Sequence, residues 1–316
     1  MVNQTISHYS IQEHICNGGF GEIYRAEDKN LKRQVALKLL PQSMSHNPEI
    51  KTRFIYEAQA VSTLDHNNIC TIYEVGETEE KQLFIAMAYY KGHTLKKIIE
   101  KKTLKIEEII DITCQIAKGL ARAHKAQIIH RDIKPANIII TEDNEVKILD
   151  FGIAKCSNQS MQNHQDCIMG TMAYMSPEQL QNNNIDHRSD IWSLGVVLYE
   201  MITGKLPFKG EYEQSIAYEI LNKEPDLISV FKSNIPISLK WILEKTLAKE
   251  PDHRYQHIDE IPVDLKVLQS KNQAISEIMV NSKDFKKRTR RIEGLLLFCT
   301  AGIVSLLIFI FFNLLK

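Results

Sequence analysis

The chain has 316 residues, with 44% hydrophobic and 25% charged content, which is ordinary for a globular protein and allows a sizeable core in one large or two small domains. Basic and acidic residues each number 39, so the formal net charge is zero and gives no support to a nucleic-acid-binding class. The six cysteines form no C-x-x-C pair, which favours free thiols in a reducing compartment over a disulfide framework or a zinc site.

The N-terminal stretch predicts a twisted antiparallel sheet, because apolar and polar residues alternate from Tyr9 to Lys38. No secretory signal peptide is predicted, since Met1–Ser10 lacks an apolar segment. A glycine-rich turn over Ile15–Tyr24 interrupts the sheet and contains Gly18, Gly19 and Gly21. Glycines let backbone N–H groups approach phosphate oxygens, although an ordinary hairpin turn explains them better when they are taken alone.

A lysine and a glutamate follow on neighbouring predicted elements. Lys38 ends the third strand, where a lone lysine is usually solvated, and Glu57 lies on a predicted helix over Ile50–Leu64. Two further strands, Ile72–Val75 and Leu83–Met87, precede a break over Met87–Gly92 that we take as the boundary between two lobes.

The second lobe is predicted to be mainly helical. Apolar residues recur at helical spacing from Ile106 to Ala123, and His124 after them has no second ligand spaced for a metal site. A long apolar helix follows Asp186 and ends at Gly204. Both tryptophans, Trp192 and Trp241, are predicted to lie in the core.

The most informative stretch runs from His130 to Asp150. It predicts two short strands, Ile138–Ile140 and Val146–Leu149, joined by a polar turn. Such a hairpin would place Asp132, Asn137 and Asp150 at the mouth of one cleft, with Lys134 beside them. Carboxylate and amide oxygens bind hard cations, and a further carboxylate can orient a hydroxyl nucleophile.

This stretch resembles the catalytic loop of protein kinases, and Asp150-Phe151-Gly152 resembles their metal-binding loop. The segment Gly170–Glu178 is similar to that of the bacterial, eukaryotic-like (Hanks-type) serine/threonine kinases, and the resemblance covers residues 9–268. It implies an α+β, bilobal protein kinase fold. The β-rich N-lobe would cover residues 9–87, the hinge 88–91 and the mainly α-helical C-lobe 92–268.

The resemblance implies the chemistry of phosphoryl transfer. Asp132 would orient the substrate hydroxyl, Lys134 would neutralise charge on the transferring group, and Thr171 would help to admit a Ser or Thr substrate. The cofactors implied are ATP and Mg²⁺, with Mn²⁺ as an alternative, and the metal would be held by Asn137 and Asp150.

The resemblance also places the nucleotide. Lys38, paired with Glu57, would hold the α- and β-phosphates, Met87 would be the gatekeeper, and the backbone of Ala88 and Tyr90 would bond the adenine edge. The residues implied to surround ATP are Ile15, Gly18, Gly19, Gly21, Ile23, Ala36, Lys38, Met87, Ala88, Tyr90 and Ile139. Cys16 stands where the family pattern has its first glycine, and we expect it to tilt the loop and weaken nucleotide affinity.

Regulation is expected to involve the segment after Asp150. Arg131 beside the catalytic aspartate needs an anion, yet no hydroxyl residue directly precedes Gly170. One hypothesis is that Asp166 is a fixed anion that gives basal activity; a solvated Asp166 is an equally good interpretation. Ser157 and Ser160 remain candidate phosphorylation sites.

Two structural contacts are also expected. Asp190 has the position of a helix N-cap, and the resemblance adds that it bonds the backbone of the catalytic loop. Glu178 and Arg254 are expected to form a buried ion pair.

The C-terminus predicts a membrane anchor. Gly294–Leu315 is 22 residues without a charge, and as a helix it would be about 33 Å long, enough for a hydrocarbon core of roughly 30 Å. We predict a transmembrane helix over residues 292–315 after a polar and basic juxtamembrane linker, 269–291. The basic run Lys286–Arg291 indicates a cytoplasmic N-terminal bulk and can bind anionic lipid. Because only Lys316 follows, we expect no sensor domain beyond the membrane.

The sequence therefore predicts a serine/threonine protein kinase on the cytoplasmic face of the cell (inner) membrane. Its partners would be ATP, protein substrates and the membrane, with no nucleic acid, and the spans could pair into a homodimer. The rival interpretation is a membrane-tethered pseudokinase or scaffold, supported by Cys16 and by the missing hydroxyl residue before Gly170. A small-molecule phosphotransferase is disfavoured by Thr171–Glu178, which fits a platform for protein substrates.

Overall fold

The computed structural model describes residue 2 and residues 4–18, 21–151, 171–226 and 235–267. Several predictions therefore lie outside the described residues: those on Gly19, Gly152, Ser157, Ser160 and Asp166, on the juxtamembrane linker and on the transmembrane helix. Among the residues that are described, no helix is both long enough and apolar enough to cross a bilayer. The chain divides into two compact units, Met1–Leu265 and Lys266–Lys316, and the fold described below is that of the first.

The N-terminal lobe is built on a six-stranded antiparallel sheet with the order β1-β2-β3-β4-β6-β5. Its strands are β1 (Thr5–Ile6), β2 (Tyr9–Gly18), β3 (Gly21–Asp28), β4 (Arg33–Leu39), β5 (Ile72–Glu77) and β6 (Leu83–Ala88). Strand pairing runs up to Gly18 and resumes at Gly21, so the glycine-rich turn is shorter than the sequence suggested. The alternating apolar residues of β2, β3 and β4 form the core of this sheet, as predicted.

Two helices accompany the sheet, α1 (Gln42–Ser45) and α2 (Pro48–Ser62). Helix α2 begins two residues before the predicted start, because Asn47 is its N-cap and Pro48 occupies its first turn. The Asn47 side-chain oxygen accepts hydrogen bonds from the backbone N–H of Glu49 at 3.0 Å and of Ile50 at 3.2 Å. The buried face of α2 carries Phe54 and Ala58.

The second lobe is mainly helical. Its helices are α3 (Leu95–Lys101), α4 (Ile106–Lys125), α5 (Pro177–Leu180), α6 (Arg188–Thr203), α7 (Glu213–Asn222), α8 (Ile237–Thr246) and α9, described over 260–267. Helix α4 buries the predicted apolar face, and α6 ends at Gly204 in the left-handed conformation. Helices α4 and α6 match the two helices predicted for this lobe to within a few residues.

The two tryptophans have opposite environments. Trp192 on α6 is fully buried and stacks on Phe208 with ring centroids 5.7 Å apart, as predicted. The prediction for Trp241 was wrong, because its side chain is 67% exposed. Leu239 and Leu243 occupy the inner face of α8, which turns Trp241 to the outside.

A small three-stranded sheet contains the hairpin that lies in the chain between the expected site residues Asp132 and Asn137 on one side and Asp150 on the other. It consists of β7 (Gly92–Thr94), β8 (Ile138–Thr141) and β9 (Val146–Ile148), so the predicted hairpin is confirmed and gains a third strand. Ile148 accepts a hydrogen bond from the Cys70 N–H and donates one to the Asn68 carbonyl, both at 2.9 Å. These bonds tie the chain entering β5 to the hairpin and thus link the two lobes behind the cleft.

Candidate active site

The loop between α4 and β8 brings together an aspartate, a lysine and a threonine. Lys134 Nζ lies 3.0 Å from Asp132 Oδ2 and donates a hydrogen bond of 2.8 Å to Thr171 Oγ1. Asn137 Nδ2 donates to Asp132 Oδ2 at 3.0 Å and to the Asp132 carbonyl at 2.9 Å. The carboxylate of Asp132 is thus fixed between an ammonium group and an amide, both of which favour its charged form.

The backbone directly before Asp132 is held by α6. Arg131 has the left-handed φ of 64°, a strained conformation for a residue with a Cβ. The Asp190 carboxylate accepts hydrogen bonds from the Arg131 N–H at 2.8 Å and from the His130 N–H at 2.9 Å. The expected contact with the catalytic loop is therefore present. The N-cap expectation was wrong, because α6 starts at Arg188 with His187 as its cap and Asp190 lies in its first turn.

Asp190 also receives a hydrogen bond from a side chain. His124 Nε2 lies 2.8 Å from Asp190 Oδ2, at the end of α4. Burial by itself raises the pKa of Asp190, but the bond and charge of His124 and the His130 N–H outweigh burial and leave the pKa below its ordinary value. Asp190 is thus a buried anion with three donors, which fixes the loop geometry.

His130 has a packing role. Its ring lies 4.6 Å from that of Phe151, and its Nε2 lies 2.8 Å from the Leu149 carbonyl oxygen. Burial lowers the pKa of His130, so it stays neutral near pH 7. The Leu149 N–H donates to the Asn137 carbonyl at 2.8 Å. Through these contacts the catalytic loop and the Asp150 segment form one assembly.

The ion pair that the structure shows for Lys38 differs from the expected one. Lys38 Nζ lies 2.8 Å from Asp150 Oδ1, and among the described residues no ion pair joins Lys38 to Glu57. Asp150 has the left-handed φ of 48°, and it presents its carboxylate to the lysine on β4. Glu57 is half-buried on α2. In this arrangement the charge of Lys38 is balanced by the Asp150 carboxylate of the other lobe rather than by a carboxylate on α2.

The glycine hairpin covers the same cleft. Gly21 has φ 123°, and a Cβ there would lie 1.9 Å from the Leu39 carbonyl oxygen, so the chain can pass only as glycine. Cys16 is an exposed residue on β2, although its thiol is partly covered. Partial burial first, and then the charge of the Asp150 carboxylate, raises the pKa of this thiol. Ile23, opposite Cys16, lies in β3 beside Lys38 of β4.

The segment expected to bond adenine continues from β6. Met87 is buried, and Ala88 is the last residue of β6. The Ala88 N–H donates to the Thr71 carbonyl at 2.9 Å, and the Tyr90 hydroxyl accepts a bond from the Thr71 N–H at 3.4 Å. The remaining residues expected around ATP lie on elements that border the cleft: Ile15 on β2, Ala36 on β4 and Ile139 on β8.

The oxygen donors suit a hard divalent cation. The Asn137 amide nitrogen donates both of its hydrogen bonds to Asp132, so Asn137 Oδ1 remains as an acceptor. Asp150 adds a carboxylate. No group of three or more His, Cys, Asp or Glu side chains in the described part of the chain is arranged for a metal. Such a sparse set fits Mg²⁺, which is usually held by one or two protein oxygens together with substrate phosphates.

A buried ion pair joins Glu178 on α5 to Arg254. Arg254 Nη1 and Nη2 donate to Glu178 Oε1 and Oε2, both at 2.8 Å, so the expected pair is present and bidentate. Ser189 Oγ donates to the same carboxylate at 2.6 Å. Burial by itself raises the pKa of Glu178, but Arg254 and Ser189 hold it below its ordinary value.

A family model described as the protein kinase domain matches residues 9–262, about four fifths of the chain. The chain belongs to this family. Its described lobes, one rich in strands and one mainly helical, have the fold of a protein kinase domain.

Curated relatives agree with this assignment. The chain is 40% identical over 278 residues to a probable serine/threonine-protein kinase of Clostridium perfringens, covering 87% of this chain and 40% of the relative. It is 40% identical over 259 residues to the serine/threonine-protein kinase PrkC of Bacillus subtilis, covering 82% and 40%. The chain thus spans about 40% of the length of these relatives. The PknI kinase domain of Mycobacterium tuberculosis has a similar fold, with a TM-score of 0.70, 23% identity and coverage of 85% of this chain and 99% of that one.

Two residues that support the kinase site were not identified from the sequence. His124 was considered only as a metal ligand, whereas it bonds Asp190. Gln179 Nε2 donates to the Arg131 carbonyl at 3.1 Å, and its Oε1 caps the Ser176 N–H at 3.0 Å. The spacing of Ser176 and Gln179 matches a capping box and could have revealed the second contact in part. Nothing in the sequence signals the first, because it joins two distant helices.

Proposed function

We propose that this protein is a serine/threonine protein kinase that transfers the γ-phosphoryl group of ATP to protein hydroxyl groups at the cytoplasmic face of a membrane. The observation that carries the proposal is the row formed by Asp132, Lys134 and Thr171, in which Lys134 Nζ lies within 3.0 Å of both partners. A carboxylate that accepts a hydroxyl proton, next to an ammonium group that neutralises phosphoryl charge, matches the requirements of this reaction.

Asp132 supplies the first part of the mechanism. Its Oδ2 is held by Asn137 and Lys134, and the carboxylate would accept a hydrogen bond from an incoming hydroxyl. The bond orients the hydroxyl oxygen for in-line attack, and the proton passes to the carboxylate as the new P–O bond forms. The Asp190 contacts hold this carboxylate in place through the Arg131 backbone.

Lys134 supplies the second part. Its ammonium group lies between the catalytic carboxylate and Thr171, where the transferring group would pass, and it stabilises the charge that develops there. Thr171 keeps the lysine at the acceptor side of the cleft. Because the hydroxyl of Thr171 leaves room for a short acceptor side chain, we assign Ser and Thr as the substrates.

On the nucleotide side, Lys38 would hold the α- and β-phosphates, and Asn137 Oδ1 with Asp150 would hold Mg²⁺, which screens phosphate charge when it is bound. Lys38 must then exchange its contact with Asp150 for the phosphates. We keep Glu57 as the partner that would hold Lys38 in that state. The hairpin at Gly21 would cover the phosphates with backbone N–H groups.

The membrane part of the proposal rests on the sequence. An uncharged segment, Gly294–Leu315, follows the basic run Lys286–Arg291. This order matches a single span with its N-terminal side in the cytoplasm. The kinase domain would then meet protein substrates near the inner surface of the cell membrane.

The test is transfer of radiolabelled phosphate from ATP by the full chain in lipid nanodiscs, with Mg²⁺ or Mn²⁺ and a generic basic protein as acceptor. Asp132→Asn should lose transfer by about 10²- to 10⁴-fold, whereas Asp143→Asn in the exposed turn between β8 and β9 should retain it. Thermal unfolding of both variants checks that the fold is kept, and phosphoamino-acid analysis should show phosphoserine or phosphothreonine.

Binding of ATP without any transfer would contradict the proposal and favour a membrane-tethered scaffold. Equal transfer by Asp132→Asn and by the unchanged chain would contradict the mechanism. Loss of ATP binding would direct attention to Cys16, and a Cys16→Gly variant would show whether the thiol is the cause.

A further inference from the structure

A stripe of exposed apolar side chains lies on α8 and α9, in the helical lobe. Ile237 and Trp241 are one turn apart on α8, and their side chains are 72% and 67% exposed. Val263 on α9 is 60% exposed. Large apolar side chains that lie together and are mostly exposed indicate a contact surface.

An ion pair connects the exposed faces of α8 and α9. Lys245 lies one turn after Trp241 on the same face of α8, and its Nζ is 3.8 Å from Glu260 Oε2 at the start of α9. Val263 lies one turn after Glu260. We use the name α8–α9 stripe for Ile237, Trp241, Lys245, Glu260 and Val263. The ends of the stripe are apolar, and its centre is the Lys245–Glu260 ion pair, which has no net charge.

The length of chain after α9 limits what can meet this stripe. Residues 268–293, which number 26, separate α9 from the uncharged segment. A random coil of this length has a root-mean-square end-to-end distance of roughly 25–30 Å, which is less than the diameter of a domain whose expected radius of gyration is about 18 Å. If the segment spans a membrane, the helix from which the linker leaves is held towards the bilayer.

The chemistry of the stripe suits a bilayer surface better than a second copy of the chain. Three exposed side chains offer on the order of 400 Å², about half of the roughly 800 Å² per partner that a stable interface buries. Indole rings favour the level of the lipid headgroups.

We infer that the α8–α9 stripe rests on the bilayer surface, with Trp241 inserted at the headgroup level, so that the membrane sets the orientation of the kinase domain. This inference rests on the membrane part of the proposed function. Because the stripe carries no net charge, the contact depends on apolar burial and persists at high salt, unlike attraction of Lys286–Arg291 to anionic lipid.

The chain has two tryptophans, of which Trp192 is buried and Trp241 exposed, so the exposed one reports on the contact. The full chain is reconstituted into vesicles of zwitterionic lipid, with and without bromine on the acyl chains, and its emission is measured. The expected result is quenching by bromolipid that Trp241→Phe abolishes and that 1 M salt leaves unchanged.

A matched control moves the indole to the other lobe. Tyr56 on α2 is 72% exposed, and Tyr56→Trp in the Trp241→Phe background should show no bromolipid quenching. Equal quenching at both positions, or none at Trp241 in a chain that resists alkaline extraction from the vesicles, would overturn the inference. Extraction of the whole chain by alkali would overturn it together with the membrane anchor, while ATP transfer, measured separately, would leave the kinase proposal standing.

Discussion

The ion pairs Arg254–Glu178 and Lys38–Asp150 have the same N–O distance, 2.8 Å, but opposite surroundings. The Arg254 side chain is 0% exposed, and besides Glu178 it donates to the carbonyls of Ala248, Arg188 and Lys249. Lys38 faces a cleft, and its partner Asp150 is 26% exposed.

The difference separates structure from function. Arg254 and Glu178 have all their polar atoms satisfied inside the helical lobe, so neither group can leave without uncovering a buried charge. The Lys38 side chain is also largely buried, at 10% exposed, but Asp150 is partly exposed, so water or phosphate can reach this pair more easily than the fully buried one. The first pair is structural, and the second would be available for the nucleotide under the proposed function.

The largest effect is expected at the buried pair. Arg254→Met leaves the Glu178 carboxylate buried without its cation, and the loss in free energy of unfolding should be roughly 3–5 kcal/mol. Chemical denaturation of the full chain in nanodiscs measures it. Lys51→Met, which breaks the exposed pair with Glu77, should cost less than about 1 kcal/mol. Equal losses in the two variants would remove the distinction between buried and exposed pairs.

The anchor at Asp190 should give the next largest effect. In Asp190→Asn the amide nitrogen cannot accept a hydrogen bond, so at least one of the three donors from His124, His130 and Arg131 loses its acceptor. We expect a loss of about 1.5–3 kcal/mol in stability, together with slower phosphoryl transfer because the Arg131 backbone is no longer fixed. Asp111→Asn on the exposed face of α4 is the control. Unchanged transfer in Asp190→Asn would show that the loop holds its geometry without this anchor.

The pH dependence of the buried pair sharpens the comparison. Because the folded-state pKa of Glu178 lies below that of the unfolded chain, its pair stabilises the protein at neutral pH, and this stabilisation is lost as the pH falls. The difference in Tm between the unchanged chain and Arg254→Met should therefore narrow as the pH falls through the ordinary glutamate range, near about 4.3. Thermal melts at a series of pH values measure it, and a constant difference would argue against a charged Glu178.

The smallest effect on stability is expected in the cleft. Lys38→Met removes an ammonium group whose partner Asp150 is 26% exposed and can be solvated, so the loss in free energy of unfolding should be smaller than that of Arg254→Met. Transfer from ATP should nevertheless fall by at least about 10²-fold, since one cationic phosphate contact is lost. Lys102→Met, at an exposed pair with Glu108, should retain activity. A large loss of stability in Lys38→Met would mean that the cleft pair is structural as well.

Much of the fold could be predicted from local patterns. The alternation in β2, β3 and β4, the helical spacing in α4, and the hairpin of β8 and β9 all depend on residues close in sequence, where periodicity and turn chemistry act directly. The catalytic loop could be predicted for the same reason, because Asp132, Lys134 and Asn137 lie within six residues of one another.

The tertiary structure decided the contacts between distant elements. The sequence contains two possible partners for Lys38, the carboxylates of Glu57 and Asp150. Which of them Lys38 contacts depends on how the two lobes close on the cleft. Trp241 has a large apolar side chain of the kind usually found in a core. It is exposed because the rest of the lobe covers the opposite face of α8. His124 bonds Asp190 because α4 and α6 pack side by side. Each outcome depends on the packing of elements far apart in the chain, which local spacing does not encode.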